Sequence, residues 1–166
     1  FNYIIYENNL VGITEYKGKQ TNVIIPKKIE GYNVAYICDE CFAKNIFIKS
    51  VQLPSTVVFI GQEAFLQNIL LEKVDLGDSL IYLSNGSFSE CYSLETISLP
   101  KTLIAIGPYS FLSCKNLKAI NGGKGLKFIS GKTFAVVPKL KKIQLPKDVI
   151  LEYEDSIASN IEIEYF

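Results

Sequence analysis

Apolar residues recur along this chain at one fixed interval. Five phenylalanines, Phe42, Phe65, Phe88, Phe111 and Phe134, stand 23 residues apart. Nearly every apolar position in the stretch 94–114, LETISLPKTLIAIGPYSFLSC, has a counterpart one interval upstream and downstream. The unit opens with L-x-x-V-x-L-P and passes through a short polar link to V-x-x-I-G. It closes on a small residue, the phenylalanine, and Asn or Cys three positions later. One such unit cannot bury its apolar side alone, but equal-length turns stacked on one another share a continuous interior. The spacing therefore predicts a solenoid whose five phenyl rings stand in a single column.

Each unit predicts two short parallel strands. The inward residues of the first are Ile48, Val51 and Leu53; Leu71, Val74 and Leu76; Leu94, Ile97 and Leu99; Leu117 and Ile120; Leu140, Ile143 and Leu145. Pro54, Pro100 and Pro146 follow at once, with Gly77 in the equivalent place; proline donates no amide hydrogen, so it stops the strand at the same point of each coil. The second strand is marked by the pairs Val34 and Ile37, Val57 and Ile60, Leu80 and Leu83, Leu103 and Ile106, and Leu126 and Ile129. Cys41, Ala64, Ser87, Ser110 and Thr133 leave room for the ring that follows, and the three-residue step beyond it predicts a short helical or 3₁₀ turn. The slot that ends this step holds Asn45, Asn68, Cys91, Cys114, Val137 and Asn160. Asparagine or a thiol there can bond backbone groups that a bend leaves unpaired. The expected class is an α/β solenoid rich in short parallel strands, a right-handed coil.

The ends depart from the beat. Tyr3 to Tyr16 reads as two strands about an Asn8-Asn9 turn, a hairpin capping the first coil. Residues 1–22 form this cap and a lead-in; residues 23–166 form about five to six repeats, the last one truncated, in a single domain. Ile25 is followed nine residues later by Val34, whereas Leu53 is followed after four by Val57, so residues 27–33 carry a bulging surface loop. Gly122 replaces a strand leucine and, with Gly123, Gly125 and Val137, makes the fifth coil the least regular. Beyond it the register predicts Ile157 in the phenylalanine slot, Asn160 in the asparagine slot and Ile163 at the next leucine. The sequence stops inside a repeat strand, which points to further repeats or to an open edge that pairs with another chain.

Composition removes several functions. A hydrophobic share of 48% with 20% charged residues over 166 positions is that of a globular chain. Seventeen lysines balance seventeen carboxylates, and arginine is absent, so there is neither a net field nor a bidentate fork for nucleic acid. No apolar run reaches membrane-spanning length and nothing resembles a signal peptide, so an export signal would lie outside this sequence. The absence of methionine, including at Phe1, points to a mature or excised fragment. Histidine is absent as well, which removes the commonest general base and metal ligand together.

At IKSVQLPSTVVFIGQEAFLQN, LEKVDLGDSLIYLSNGSFSEC and LETISLPKTLIAIGPYSFLSC the chain resembles the BspA-like leucine-rich repeats of bacterial surface proteins, a family also expanded in some parasitic protists. Its unit reads roughly L-x-x-I-x-L-P-x-S-V-x-x-I-G-x-x-A-F-x-x-C. ITEYKGKQTNVIIPKKIEGYNVAYI looks like the segment that often precedes such repeats. The resemblance implies a secreted or surface-anchored protein, an adhesin or host-matrix binder with a protein or glycan ligand. It brings no catalytic motif and no cofactor, and it leaves open a structural spacer or an edge-to-edge self-associating segment.

Candidate chemistry is sparse. Cys38 and Cys41 have C-x-x-C spacing, but they occupy the glycine and small-residue slots of the repeat and no second pair or histidine completes a zinc set, so ordinary thiols are expected. Cys91 and Cys114 fall one coil apart with parallel side chains, a ladder of free thiols rather than a disulfide. Glu72, Asp75 and Glu95 gather outward on neighbouring first strands; a flat ladder offers no cleft in which paired carboxylates would catalyse glycoside hydrolysis. Together with Lys118, Lys141 and Lys142 they form a candidate ligand face, acidic in the middle and basic distally, against which stands the reading of a merely solvated surface. Tyr36, Phe59, Tyr82 and Phe128 precede the inward aliphatic of the second strand, with Ala105 as the exception. They form either a second candidate, an aromatic stripe for a partner, or a stack that shields backbone.

Overall fold

A computed structural model describes residues 1–166. Strands follow in the order β1 (Asn2–Ile5), β2 (Leu10–Glu15), β3 (Asn22–Ile24), β4 (Lys28–Ile29), β5 (Tyr32–Ile37), β6 (Ser50–Gln52), β7 (Phe59–Ile60) and β8 (Lys73–Asp75). The second half holds β9 (Tyr82–Leu83), β10 (Thr96–Leu99), β11 (Ala105–Ile106), β12 (Ala119–Gly122), β13 (Phe128–Ile129), β14 (Lys142–Leu145), β15 (Ile150–Leu151) and β16 (Glu162–Tyr165). They form a β-solenoid of about seven turns, each contributing one strand to either side. On one side β1-β2-β5-β7-β9-β11-β13-β15 runs unbroken, with β4 joined to β5. The other side is divided into β3-β6-β8, β10-β12 and β14-β16.

The interior is a single cluster of 39 buried residues. Phe42, Phe65, Phe88, Phe111 and Phe134 are all buried, and successive rings lie nearly parallel with centroids 4.8, 5.0, 5.7 and 5.5 Å apart. The column the spacing predicts is therefore present. It extends one coil further back, where Tyr16 packs 5.2 Å from Phe42 and Phe1 covers Tyr16 at 5.1 Å.

The helical component expected of an α/β fold is absent, and the only helical segment is a 3₁₀ turn at Glu154–Ser156. The bends are tandem β-turns. Two residues before each phenylalanine and two after it, φ is positive: Glu63 and Gln67, Gly86 and Glu90, Tyr109 and Ser113. A left-handed residue ends a right-handed helix before it completes a turn. Backbone groups are satisfied instead by i to i+3 bonds, such as Cys91 N–H to Phe88 O at 3.3 Å, alternating with bonds to the next coil. Gly86, Phe88 and Glu90 N–H thus reach Pro108, Ser110 and Leu112 carbonyls at 2.9, 2.9 and 2.8 Å.

Side chains of the Asn or Cys slot bond backbone as expected, but the carbonyls they reach are not left unpaired by the bend: each already accepts an N–H of its own turn, as Phe42 O does from Asn45 at 3.3 Å. Asn68 Nδ2 donates to Phe42 O at 2.8 Å, and the Cys91 and Cys114 thiols to Phe65 O and Phe88 O at 3.2 Å each. The small-residue slot has an additional role: Ser110 Oγ donates to Gly107 O at 2.7 Å and Ser84 O at 3.0 Å, and Thr133 repeats the pattern one coil on. At Gly122, φ is +84° and an added Cβ would lie 2.3 Å from Leu99 O, so no leucine fits the slot.

Three terminal features differ from the expected register. Residues 27–33 are a paired hairpin, β4 against β5, turning at Glu30 and Gly31, both with positive φ. The N-terminal hairpin forms, but β2 is itself a rung: it pairs in parallel with β5 and buries Val11 and Ile13, while β1 lies antiparallel along its outer edge. At the other end Ile157 bridges Phe134 as expected, yet Ile163 pairs with Ile143 rather than taking the next leucine slot, and Asn160 is exposed. The step between coils has shortened from 23 to 20, as in the side-chain bonds of Asp39 to Gln62 and of Gln144 to Glu164. The loss falls between Ile157 and Glu162, where buried Ile161 bonds Ala158 O as Leu140 bonds Val137 O one coil earlier.

Candidate functional site

The two faces of the solenoid differ in chemistry. On the divided side Asp75 and Lys142 lie within strands and Glu72, Glu95, Lys118 and Lys141 stand just before them, and all six are exposed. Four of the six are ion-paired: Lys49 pairs with Glu72 at 3.6 Å, Lys118 with Glu95 at 3.0 Å and Lys142 with Glu164 at 3.1 Å. Asp75 Oδ1 accepts from Gly77 N–H at 3.0 Å, and Lys141 Nζ donates to Pro138 O at 2.8 Å. Exposed pairs of this kind contribute about 0–1 kcal/mol each. They blunt the acidic-to-basic polarity and join neighbouring coils.

On the continuous side Tyr36, Phe59, Tyr82, Ala105, Phe128 and Ile150 pair in sequence across β5, β7, β9, β11, β13 and β15. Phe59 stacks on Tyr82 at 5.7 Å, and Tyr36 meets the Tyr6 ring edge-on at 5.3 Å. Phe128 and Ile150 are 46% and 51% exposed. Within the row only Phe59 and Tyr82 stack on each other. A second apolar row, Val58, Ile81 and Ile104, lies beside it, with Ile81 and Ile104 43% and 47% exposed. That row was legible in the runs VVFI, LIYL and LIAI, where the residue after the first inward aliphatic is itself apolar. Tyr6 and Gly12, at the head of the face, carry no repeat signature.

The four cysteines are free; Cys38 is half-buried and the other three are buried. Burial pushes the Cys114 thiol up to about 12 and raises Cys41 and Cys91 well above the ordinary range. These are inert donors rather than nucleophiles. The Cys38 Sγ lies 3.7 Å from the Tyr6 hydroxyl.

Six copies of the BspA type leucine rich repeat region match across residues 35–163. The chain belongs to the BspA-type leucine-rich repeat family. No curated protein matches it. Among solved structures, this BspA-type chain is similar to a leucine-rich repeat protein of T. pallidum, with 26% identity, a TM-score of 0.72, and coverage of 91% of this chain and 82% of that one. It also shares its fold with a leucine-rich cell surface protein of Faecalibacterium prausnitzii, at 21% identity and TM-score 0.70 over 98% of this chain and 52% of that one. A third is the pneumococcal vaccine antigen PcpA, at 22% identity and TM-score 0.72 over 90% and 43% of the two chains. This BspA-type chain thus spans about half the length of the last two or less. No helix in it is long and apolar enough to cross a membrane.

Proposed function

We propose that this chain is a non-enzymatic protein-binding module of a larger secreted or cell-surface protein, and that the outer face of its continuous sheet is the contact surface. The observation that carries the reading is the exposed apolar side chains along one unbroken ladder, with Phe128 and Ile150 paired across β13 and β15 and Ile81 and Ile104 standing just before β9 and β11. Contiguous exposed apolar surface marks contact sites, whereas singly scattered residues do not. The charged face is the weaker choice because four of its six candidate ions, Glu72, Glu95, Lys118 and Lys142, already have ion-pair partners. Two similar structures are described as a cell surface protein and a vaccine antigen, which agrees with display outside the cell.

The test is capture of proteins from an array of extracellular-matrix components and from a bacterial envelope extract. The unaltered chain is compared with an Ile81→Ser, Ile104→Ser variant and with a Glu72→Ala, Asp75→Ala, Lys141→Ala, Lys142→Ala variant, both first shown to be folded by circular dichroism. Capture lost only in the first variant supports the sheet face. Equal capture by both, or loss only in the second, rejects it. The alternative is a spacer or self-associating segment. It predicts mass growth with concentration in light scattering, which a ligand-binding monomer does not show.

A further inference from the structure

The aromatic row has a gap at its head. Gly12 pairs with Tyr36 and Tyr36 with Phe59, so a side chain at position 12 would continue the row. Glycine stands there instead and Tyr6 leans over it: an added Cβ would lie 2.8 Å from Cys38 Sγ and 2.9 Å from Tyr6 Cε2. Pairing between β2 and β5 slips at this point, Val11 facing Val34 and Gly12 facing Tyr36, so Ala35 is the extra residue of a bulge. Bulges re-aim the side chains beside them. The outcome is an open cleft of about 530 Å³ walled by Tyr6, Tyr36 and Phe59, with Asn8, Cys38 and Asp39 at its rim.

The rim is short of free acceptors, with one exception. Asn8 Oδ1 accepts from Leu10 N–H at 3.2 Å, and Asp39 Oδ1 accepts from Gln62 N–H at 2.7 Å. The second oxygen of Asp39 has no such bond, Asp39 pairs with no lysine, and no cationic residue lines the cleft. The charge is felt inside. Tyr6 titrates above its ordinary value chiefly through its hydrogen bond with Cys38, and Cys38 chiefly through burial, with Asp39 adding to both. The Tyr6 and Tyr36 rings meet at 88°, a corner rather than the flat platform on which a sugar ring stacks. Electron-rich ring faces around one unpaired carboxylate match an organic cation.

We propose that this cleft receives the ε-ammonium and terminal methylenes of a lysine side chain on the partner protein, with Asp39 as counter-ion. The assignment rests on the reading that the sheet face docks a protein, but its test needs no partner. The unaltered chain is titrated in solution NMR with Nα-acetyl-lysine methylamide, with the norleucine counterpart, and with tetramethylammonium. Saturable shifts of the Tyr6, Tyr36 and Phe59 ring signals are expected, with the lysine derivative about tenfold tighter than norleucine. Asp39→Asn keeps the acceptor for Gln62 N–H and is expected to erase that preference without unfolding the chain. Gly12→Ala, whose Cβ would push against Tyr6 Cε2 and Cys38 Sγ, displaces the Tyr6 wall and is expected to weaken binding, its folding being checked by melting. Equal affinity for the two derivatives, an unchanged preference in Asp39→Asn, or shifts with tetramethylammonium alone would overturn the proposal. A positive titration beside failed protein capture, or the reverse, separates this assignment from the reading beneath it.

Discussion

Val136 holds φ at +56°, where its coil-mates Gln67, Glu90 and Ser113 stand at 56°, 60° and 59°. A β-branched side chain is the least suited to this region, and Val136 is 59% exposed, so its methyl groups gain little by packing. Val136→Asn, which tolerates the left-handed conformation, is expected to raise stability by about 1 kcal/mol. An unchanged or lowered urea midpoint would contradict this. Asn68 offers a second case. Its Nδ2 supplies the bond to Phe42 O, yet its buried Oδ1 has no partner. A thiol gives the donor without the orphaned acceptor, as at Cys91 and Cys114. Asn68→Cys is expected to match the parent in stability, whereas Asn68→Ala, which leaves the carbonyl only the Asn45 N–H at 3.3 Å, loses about 1 kcal/mol. Equal losses in denaturant titration would show that the slot needs only volume. The Asn or Cys slot was legible because a repeated polar residue at one phase has few explanations. The hydroxyl bonds of Ser110 and Thr133 were hidden because the same slot also holds Ala64, so small size alone accounted for it.

Among elements, the strands and the ring column follow from periodicity, while the bends do not. An apolar beat of 23 residues fixes which side chains face inward, but the three residues after each phenylalanine look alike whether they turn as a helix or as paired β-turns. What decides is backbone sign at Glu63, Gln67, Glu90 or Ser113, residue types that carry no left-handed signature. The shortened last coil escaped for a related reason: Ile161 and Ile163 are both apolar, and either could fill the next slot. That coil is tied to β14 by Glu164, which accepts from Gln144 Nε2 at 2.6 Å and pairs with Lys142. These bonds hold the Glu164 carboxyl below its ordinary value of 4.5, the Gln144 hydrogen bond first and Lys142 next. A carboxyl lowered in the folded state stabilises above its ordinary value and ceases to as pH falls through the folded one. Acid below about pH 4.5 is therefore expected to loosen β16 ahead of the rest, as faster exchange of the Glu162–Tyr165 amides. Glu164→Gln is expected to remove that pH dependence; if exchange still accelerates in acid, another group is responsible.

At the scale of the whole molecule the two sides carry different amounts of backbone pairing. One sheet is continuous from β1 to β15, while the other parts between β8 and β10 and between β12 and β14, leaving three blocks held together by the shared core, the bend hydrogen bonds and the opposite ladder. The solenoid was legible in the sequence because stacking needs only equal lengths. The partings were not, since Val74, Ile97, Ile120 and Ile143 carry the same inward pattern across paired and unpaired junctions alike. The cleft was hidden too, because Tyr6 and Gly12 lie outside the repeat and meet Tyr36 only when the hairpin pairs with β5. A divided ladder places its flexibility at two defined junctions: strands that keep their hydrogen bonds within a block resist opening, and those facing a parting open more readily. Native-state hydrogen exchange is therefore expected to show low protection for the amides of β8 and β10 that face each other, and likewise for β12 and β14. Protection is expected to stay high along β7, β9 and β11, which pair on both sides. Uniform protection along both ladders would mean that the partings close in solution, and the solenoid would then open only as one unit.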